Sequence, residues 1–241
     1  MDKLVLIEVR GDTTTLTLNR PDRLNAMSAE LVTQLQIAIN EAHNREARLI
    51  ILKGAGKSFC AGFDLSNLDE MSEADLLMRF VKLELLLQTV ANSPCLTLAF
   101  AQGKVFGAGV DLFAACKQRV ATQDAIFRMP GLKFGLVLGS RRFGEIVGTE
   151  KARDLLQVTS SFSSAEALKM NFIHKVSEPA IWGEICEDAV THSSQLDRET
   201  QATLYSVLGG EKFNDADLAH LVRSAARGGL KDRIHAYINS K

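Results

Sequence analysis

Apolar and polar positions along this chain follow two rhythms, and the changes of rhythm mark its elements. Between positions 4 and 19, Leu16 and Leu18 alternate with Thr15 and Thr17. That period of two predicts half-buried strand, and a Gly11-Asp12 turn divides the stretch into two strands. Past Pro21 the period lengthens. Leu31, Leu35, Ile39 and Ala42 recur at helical spacing opposite Gln34, Asn40 and Glu41, and Ser28 stands where an N-cap belongs. The run 49–52 is continuously apolar, carries β-branched Ile50 and Ile51, and ends at Gly54-Ala55-Gly56, which predicts a buried strand.

The alternation continues. Helical patterns occupy 76–90 and 108–116, and strand patterns occupy 95–101, 119–122 and 125–127. Helices are predicted near 141–147 and 151–158, a strand over 172–176, and a helix over 180–193. Strands alternating with helices predict an α/β fold with right-handed crossovers and stacked parallel sheet. From about Ile181 no strand pattern survives, and Leu204, Val207, Leu208, Leu218, Leu221 and Ile234 sit in helical segments. The predicted organisation is an α/β core over 1–180 and an all-helical region over 181–241. No repeat, low-complexity tract or long linker interrupts it.

Composition narrows the function classes. Lys and Arg number 28 against 29 Asp and Glu, so no basic excess points to nucleic acid. With 46% hydrophobic residues and a net charge of -1, disorder is excluded. No apolar run approaches the ~18–20 residues that span a membrane. The N-terminal MDKLVLIEVR is too charged for a secretory signal, and the C-terminal INSK matches no address or lipidation signal, so a cytoplasmic location is expected. Cys60, Cys95, Cys116 and Cys186 are far apart in sequence and form no C-x-x-C pair. They are expected as buried free thiols rather than disulfides or zinc ligands. A soluble enzyme acting on a small molecule fits these limits.

Two glycine-containing segments each follow a predicted strand: Ser58-Phe59-Cys60-Ala61-Gly62-Phe63-Asp64-Leu65, and the stretch from Gly103 through Gly107-Ala108-Gly109 to Asp111. Glycine there lets the backbone turn and approach a ligand closely. A small-residue turn entering a helix also leaves free N–H groups that suit a phosphate or a developing oxyanion. No Gly-Lys-Ser/Thr follows, and Leu112 stands where a dinucleotide fingerprint needs its third Gly. Gly107-Ala108-Gly109 alone is equally well read as a tight strand-to-helix turn.

Taken with a third segment, the pattern becomes specific. Asn19-Arg20-Pro21-Asp22-Arg23-Leu24-Asn25-Ala26-Met27 resembles the N-R-P-x-x-x-N-A-[LM] signature of the crotonase superfamily, the enoyl-CoA hydratase/isomerase family. The stretch from Ser58 to Leu65 is similar to its F-[CSA]-A-G-x-D-[LI] segment, and Gln102 to Asp111 to its N-G-x-x-x-G-G-G-x-[ED] segment. All three occur in the family's order and spacing. The resemblance implies a ββα-superhelix of stacked sheets with a C-terminal helical region that serves in oligomerisation and covers the active site. It further implies acyl-CoA thioester substrates and an enolate stabilised by two backbone N–H groups. These belong to Phe63 and Ala108, each typically worth about 3–4 kcal/mol in the transition state. Ala replaces the usual Gly at 108, which leaves the N–H intact if the local φ is negative. By the same resemblance Arg23, Leu24 and Ala26, with Ala61, Gly62, Asp64, Leu65 and Gly107, form the CoA and substrate site. Arg23 is the candidate for a CoA phosphate. No metal or redox cofactor is implied, CoA entering as part of the substrate, and a homotrimer or dimer of trimers is expected.

Departures from the family pattern bear on the reaction. Asp111 stands at the position of the first catalytic Glu, one methylene shorter; its alternative reading is an exposed carboxylate favoured by the dipole at a helix start. The second family carboxylate, in a pattern like F-x-x-P-E, meets Phe127-Arg128-Met129-Pro130-Gly131, so Gly131 replaces it. A later family stretch is shortened to Gly135-Leu136-Val137-Leu138-Gly139-Ser140-Arg141-Arg142-Phe143, without its proline and without an acid. Hydration is well served by two carboxylates, whereas a double-bond shift needs only one to carry a proton between carbons. An enoyl-CoA isomerase is therefore expected ahead of a hydratase. Thioester hydrolysis, decarboxylation and a non-catalytic acyl-CoA-binding role remain the alternatives. Glu145 reads as a solvated helix residue and His174 as structural. Cys60 lacks the neighbouring base that a nucleophile needs.

Overall fold

The computed structural model describes residues 3–240; Met1, Asp2 and Lys241, which belong to the terminal stretches discussed above, lie outside the described residues. In chain order the strands are β1 (Val5–Arg10), β2 (Thr13–Leu18), β3 (Leu49–Gly54), β4 (Leu96–Ala101), β5 (Lys104–Phe106), β6 (Gln118–Ala121), β7 (Ile126–Arg128), β8 (Ser161–Ser163) and β9 (Lys175–Val176). The helices are α1 (Ala29–Asn44), α2 (Glu73–Ala91), α3 (Ala108–Ala115), α4 (Ser140–Val147), α5 (Thr149–Val158), α6 (Ser164–Lys169), α7 (Trp182–Ser193), α8 (Arg198–Leu208), α9 (Asn214–Ala225) and α10 (Leu230–Asn239).

Six strands form one sheet in the order β1-β2-β3-β4-β6-β9, and β5-β7-β8 form a second, three-stranded sheet. The hairpin β1–β2 is antiparallel, with Gly11 at φ +55° in its turn. From β2 to β9 every neighbour in the large sheet is parallel. Helical crossovers cover such strands, so β3 and β4 are buried almost throughout while β2 alternates, as its Thr/Leu pattern requires. This is the α/β architecture of stacked sheets that the sequence predicts. Ser28 caps α1 by accepting the Leu31 N–H at 3.2 Å.

Three short elements escape the periodicity: β5, β8 and α6. The last is set by a capping box between Ser163 and Glu166 rather than by an apolar stripe. The strand expected over 172–176 is corrected to Lys175–Val176. Phe172 and Ile173 are apolar because they are buried in the core, not because they pair in a sheet. Phe172 sits 5.7 Å from Phe113 of α3 and 5.4 Å from Phe127 of β7, in an aromatic cluster that locks α3 against the small sheet. All four cysteines are free, three of them buried.

Beyond residue 181 the described chain is helical. α7 covers the large sheet, stacking Trp182 on Phe100 at 4.6 Å. α9 packs along α2, and α10 packs on the turn at Pro130–Phe134. No helix among the described residues is long and apolar enough to cross a membrane.

Candidate active site

The loop 19–27 is shaped by its own signature. Leu24 and Asn25 both take the left-handed conformation, at φ +49° and +55°. Asn25 is fully buried. Its Oδ1 accepts the Arg20 N–H at 2.8 Å, and its Nδ2 donates to the carbonyls of Ala55 at 2.9 Å and Ser58 at 2.8 Å. The signature asparagine of this loop is therefore a fastener that ties it to the loop after β3. The Ala61 N–H completes the link by donating to the Leu24 carbonyl at 2.9 Å.

The next turn orients the first candidate N–H. Met27 pairs with the strand-like segment at 62–64: its N–H donates to the Gly62 carbonyl at 2.8 Å, and its carbonyl accepts from Asp64 at 3.2 Å. In extended backbone the intervening Phe63 N–H points the opposite way. Gly62 lies at φ +102°, and a Cβ there would stand 2.7 Å from the Phe106 carbonyl oxygen. Only glycine permits this approach, which brings the two glycine segments together. The same Cβ position is 3.7 Å from the Ala108 nitrogen.

Ala108 is the first residue of α3, so its N–H has no carbonyl one turn earlier to accept it. Its φ is negative, which meets the condition set by the missing glycine. The positive φ falls instead on Gly107, at +49°. Among the described residues neither the Phe63 nor the Ala108 N–H makes a hydrogen bond. Both residues line one cavity of about 150 Å³, together with Gly62, Gly107 and Asp111. Ala61 and Leu65 line it as well, as do Phe80, Phe134 and Tyr237. A cavity of this size with apolar walls accepts a guest of about benzene size.

Among the described residues Asp111 is the one carboxylate in the cavity wall, and it is 4% exposed. The reading of Asp111 as an exposed residue of a first helical turn is thereby removed. Its Oδ1 is buried without a hydrogen-bond partner. Burial, with Glu84 nearby, holds its pKa well above the ordinary carboxylate range, and Arg142 opposes this only in part. Gly131 also lines the cavity, where the nearest atom to a Cβ would be 3.6 Å away, so a side chain has room there.

Gly139 is packed onto Asp111. A Cβ at this residue would collide with Asp111 Oδ1, and its φ is +63°. Gly139→Ala is therefore expected to displace the carboxyl and cut turnover by about 10–100-fold, since roughly 1 Å of misplacement costs that much. Steady-state kinetics checks this, with a thermal melt separating displacement from unfolding.

Other predicted residues lie apart from the cavity. The Asp64 carboxylate is turned inward, bonded to Arg20 Nη1 at 2.8 Å and to the Ser66 N–H at 3.0 Å, so it serves to hold the loop. The Ala26 carbonyl accepts from Arg20. Arg23 is exposed, with only a long 3.9 Å approach to Asp22, and lines a separate surface cleft. Cys60 is buried with its pKa pushed up to about 12, which leaves it no nucleophilic thiolate. His174 is structural, its Nδ1 accepting the Arg119 N–H at 3.1 Å. Glu145 is half-exposed and pairs with Arg141 on the helix surface. Sequence reasoning missed the buried Glu84–Arg142 pair, because Glu84 sits inside the apolar run of α2 with nothing nearby in sequence to mark its partner.

The family model for enoyl-CoA hydratase/isomerase matches residues 9–208. The chain belongs to the enoyl-CoA hydratase/isomerase family. A crystal structure assigned to the same family, from Bordetella parapertussis, is 48% identical, with a TM-score of 0.96 and 98% of each chain covered. The probable enoyl-CoA hydratase echA6 of Mycobacterium tuberculosis is 34% identical over 165 residues, 67% of this chain and 66% of its own length. Ethylmalonyl-CoA decarboxylase of Mus musculus is 31% identical over 173 residues, covering 68% of this chain and 53% of the mouse protein. The chain thus spans just under two thirds of the mycobacterial relative and about half of the mouse one.

Proposed function

We propose that this family member shifts the double bond of an enoyl-CoA thioester, with Asp111 as the single acid–base group. The carboxylate of Asp111 takes a proton from C2 of a 3-enoyl thioester. The electron pair moves onto the thioester oxygen, which the Phe63 and Ala108 N–H groups receive as an oxyanion. The same carboxyl then returns the proton to C4, and the product is the 2-enoyl thioester. The observation that carries this reading is the lone carboxyl in an apolar cavity beside two free N–H groups. Its pKa, raised by burial and by Glu84, suits a group that must both accept and release a proton.

A second reading rests on the same raised pKa. A carboxyl that holds its proton can protonate the enolate left when a 2-carboxyacyl-CoA loses carbon dioxide. The mouse relative is named for a decarboxylation of that kind.

We take the CoA moiety to be bound along Leu24, Ala26, Ala61 and Leu65, with Arg23 meeting a phosphate. The chain is further proposed to work in the cytoplasm as a trimer or dimer of trimers. Assays of 3-enoyl-CoA, 2-enoyl-CoA, saturated acyl-CoA and 2-carboxyacyl-CoA separate the reactions. Interconversion of 3- and 2-enoyl-CoA without water addition supports the isomerase. Hydration, thioester cleavage or decarboxylation as the fastest reaction overturns it, and binding without turnover leaves an acyl-CoA-binding protein.

The space at Gly131 allows a further check. Gly131→Glu supplies a second carboxyl facing the same cavity and is expected to raise hydration of 2-enoyl-CoA at least tenfold, read by loss of enoyl absorbance (about 1.4 kcal/mol in the barrier). An unchanged hydration rate in the folded variant contradicts the reading of Gly131 as the missing acid position.

A further inference from the structure

Two charges are buried close to Asp111 and play no part in the reaction just described. Glu84, from the middle of α2, is 1% exposed, and Arg142, from α4, is 6% exposed. Arg142 grips both carboxylate oxygens of Glu84, Nη1 donating to Oε2 at 3.1 Å and Nη2 to Oε1 at 2.5 Å. Gln88, one turn further along α2, donates its Nε2 to Glu84 Oε1 at 2.9 Å and to the Asn214 carbonyl at 3.0 Å. Arg142 Nη2 also lies 3.6 Å from Asp217 Oδ2, but Arg141 already holds Asp217 through two nitrogens at 2.7–2.9 Å. The helices carrying Glu84 and Arg142 both pack against α3, which carries Asp111. Both charges act on Asp111, Glu84 raising its pKa and Arg142 lowering it, and Arg142 is committed to Glu84 while Asp111 Oδ1 goes without a partner.

We propose that Glu84 is a positioning residue for Asp111: by closing a forked ion pair on Arg142, it keeps the guanidinium from turning onto the unpartnered Asp111 carboxyl. The inference rests on the reading of Asp111 as the acid–base group. A carboxyl held by arginine gives up its proton readily and takes it back poorly, and its oxygens no longer face the substrate. A buried pair that excludes this contact leaves Asp111 oriented by packing alone, with Gly139 beneath it.

Few other groups face Asp111. The Cys60 thiol is neutral, with a pKa of about 12. Arg128 of β7 lines the cavity with its Nε bonded to the Thr159 carbonyl at 3.0 Å, and Tyr237 of α10 closes the far wall against Phe134. On β5 the ionisable residue is Lys104, which is exposed. Glu84 and Arg142 are the charges whose removal changes the surroundings of Asp111 while leaving the cavity wall in place.

The test is the titration of Asp111 itself, read without substrate from its carboxyl infrared band or carbon chemical shift, with Asp111→Asn as the blank. Glu84→Gln keeps the shape and the Gln88 contact but releases Arg142. The Asp111 midpoint is expected to move about one to three pH units to the acid side, and the acid limb of kcat/KM to follow it. Glu84→Asp, which restores the acid, moves the midpoint back. The double variant Glu84→Gln/Arg142→Met removes both charges, and the wild-type midpoint is expected to return. An unmoved midpoint in folded Glu84→Gln overturns the proposal. Should that variant not fold, the double variant decides, and an acid-shifted midpoint there overturns it instead. A midpoint that moves as expected while no enoyl-CoA is isomerised upholds the role of Glu84 and refutes the isomerase reading.

Discussion

Asp111→Asn lowers enoyl-CoA turnover by about 10²–10⁴-fold, the usual contribution of a positioned acid–base group, with little change in acyl-CoA binding. The amide has the size of the carboxyl and cannot carry a proton between carbons, while the Phe63 and Ala108 N–H groups proposed to receive the thioester oxygen stay in place. Steady-state kinetics and calorimetry of CoA thioester binding check the two halves of this outcome. Residual turnover within about threefold of the wild type removes Asp111 from the mechanism.

The same substitution has a signature in stability. The folded-state pKa of Asp111 is raised, so the folded protein binds the proton more tightly than the unfolded chain does. Its contribution to stability is fully present below the ordinary aspartate range near pH 4 and is lost as pH rises through the raised value. The amide of the variant cannot ionise, so it escapes that loss. Denaturant melts are therefore expected to show Asp111→Asn gaining on the wild type as pH climbs above about 4, with the difference level above the raised value. A difference between the two proteins that does not vary with pH contradicts the buried, reluctant carboxyl.

How much of this could be read beforehand follows from the range of the forces involved. The hairpin, the capped helix α1 and the buried strand β3 are written in local periodicity, because each element buries one face or two. The two unbonded N–H groups of Phe63 and Ala108 could be picked out because a backbone N–H is freed by local events: a glycine turn at Gly62 and a helix start at Ala108. Glu84 and Arg142 could not. They lie 58 positions apart, and only the packing of α2 and α4 on α3 brings them together near Asp111. Asp64 shows another limit of local pattern: its place in a family segment says nothing of its side chain, which is used to hold Arg20. The closure of the cavity by Tyr237 from α10 was likewise beyond local pattern, since helical periodicity says which face is apolar and not what it meets.

The two N–H groups make a second prediction of large effect, because one of them can be removed without removing a helix. Ala108 is the first residue of α3, where proline's fixed φ and missing donor are tolerated. Gly107 before it has no Cβ to oppose the proline ring. The carbonyl of Gly107 still accepts from Val110 at 2.8 Å and Asp111 at 3.1 Å, so the first turn keeps its hydrogen bonds. Ala108→Pro is thus expected to melt within a few degrees of the wild type while turnover falls by about 10²–10³-fold, the cost of one oxyanion-hole donor. The ring also occupies the direction in which the N–H pointed, so binding of the thioester weakens together with turnover. Ala108→Gly retains the N–H and is expected to stay within a few-fold of the wild type, which separates loss of the donor from loss of the methyl. An active Ala108→Pro variant would place the oxyanion elsewhere. In that case the approach of Gly62 to Ala108 would be a packing feature of the two glycine segments, and the chemistry would have to be sought along the other walls of the cavity.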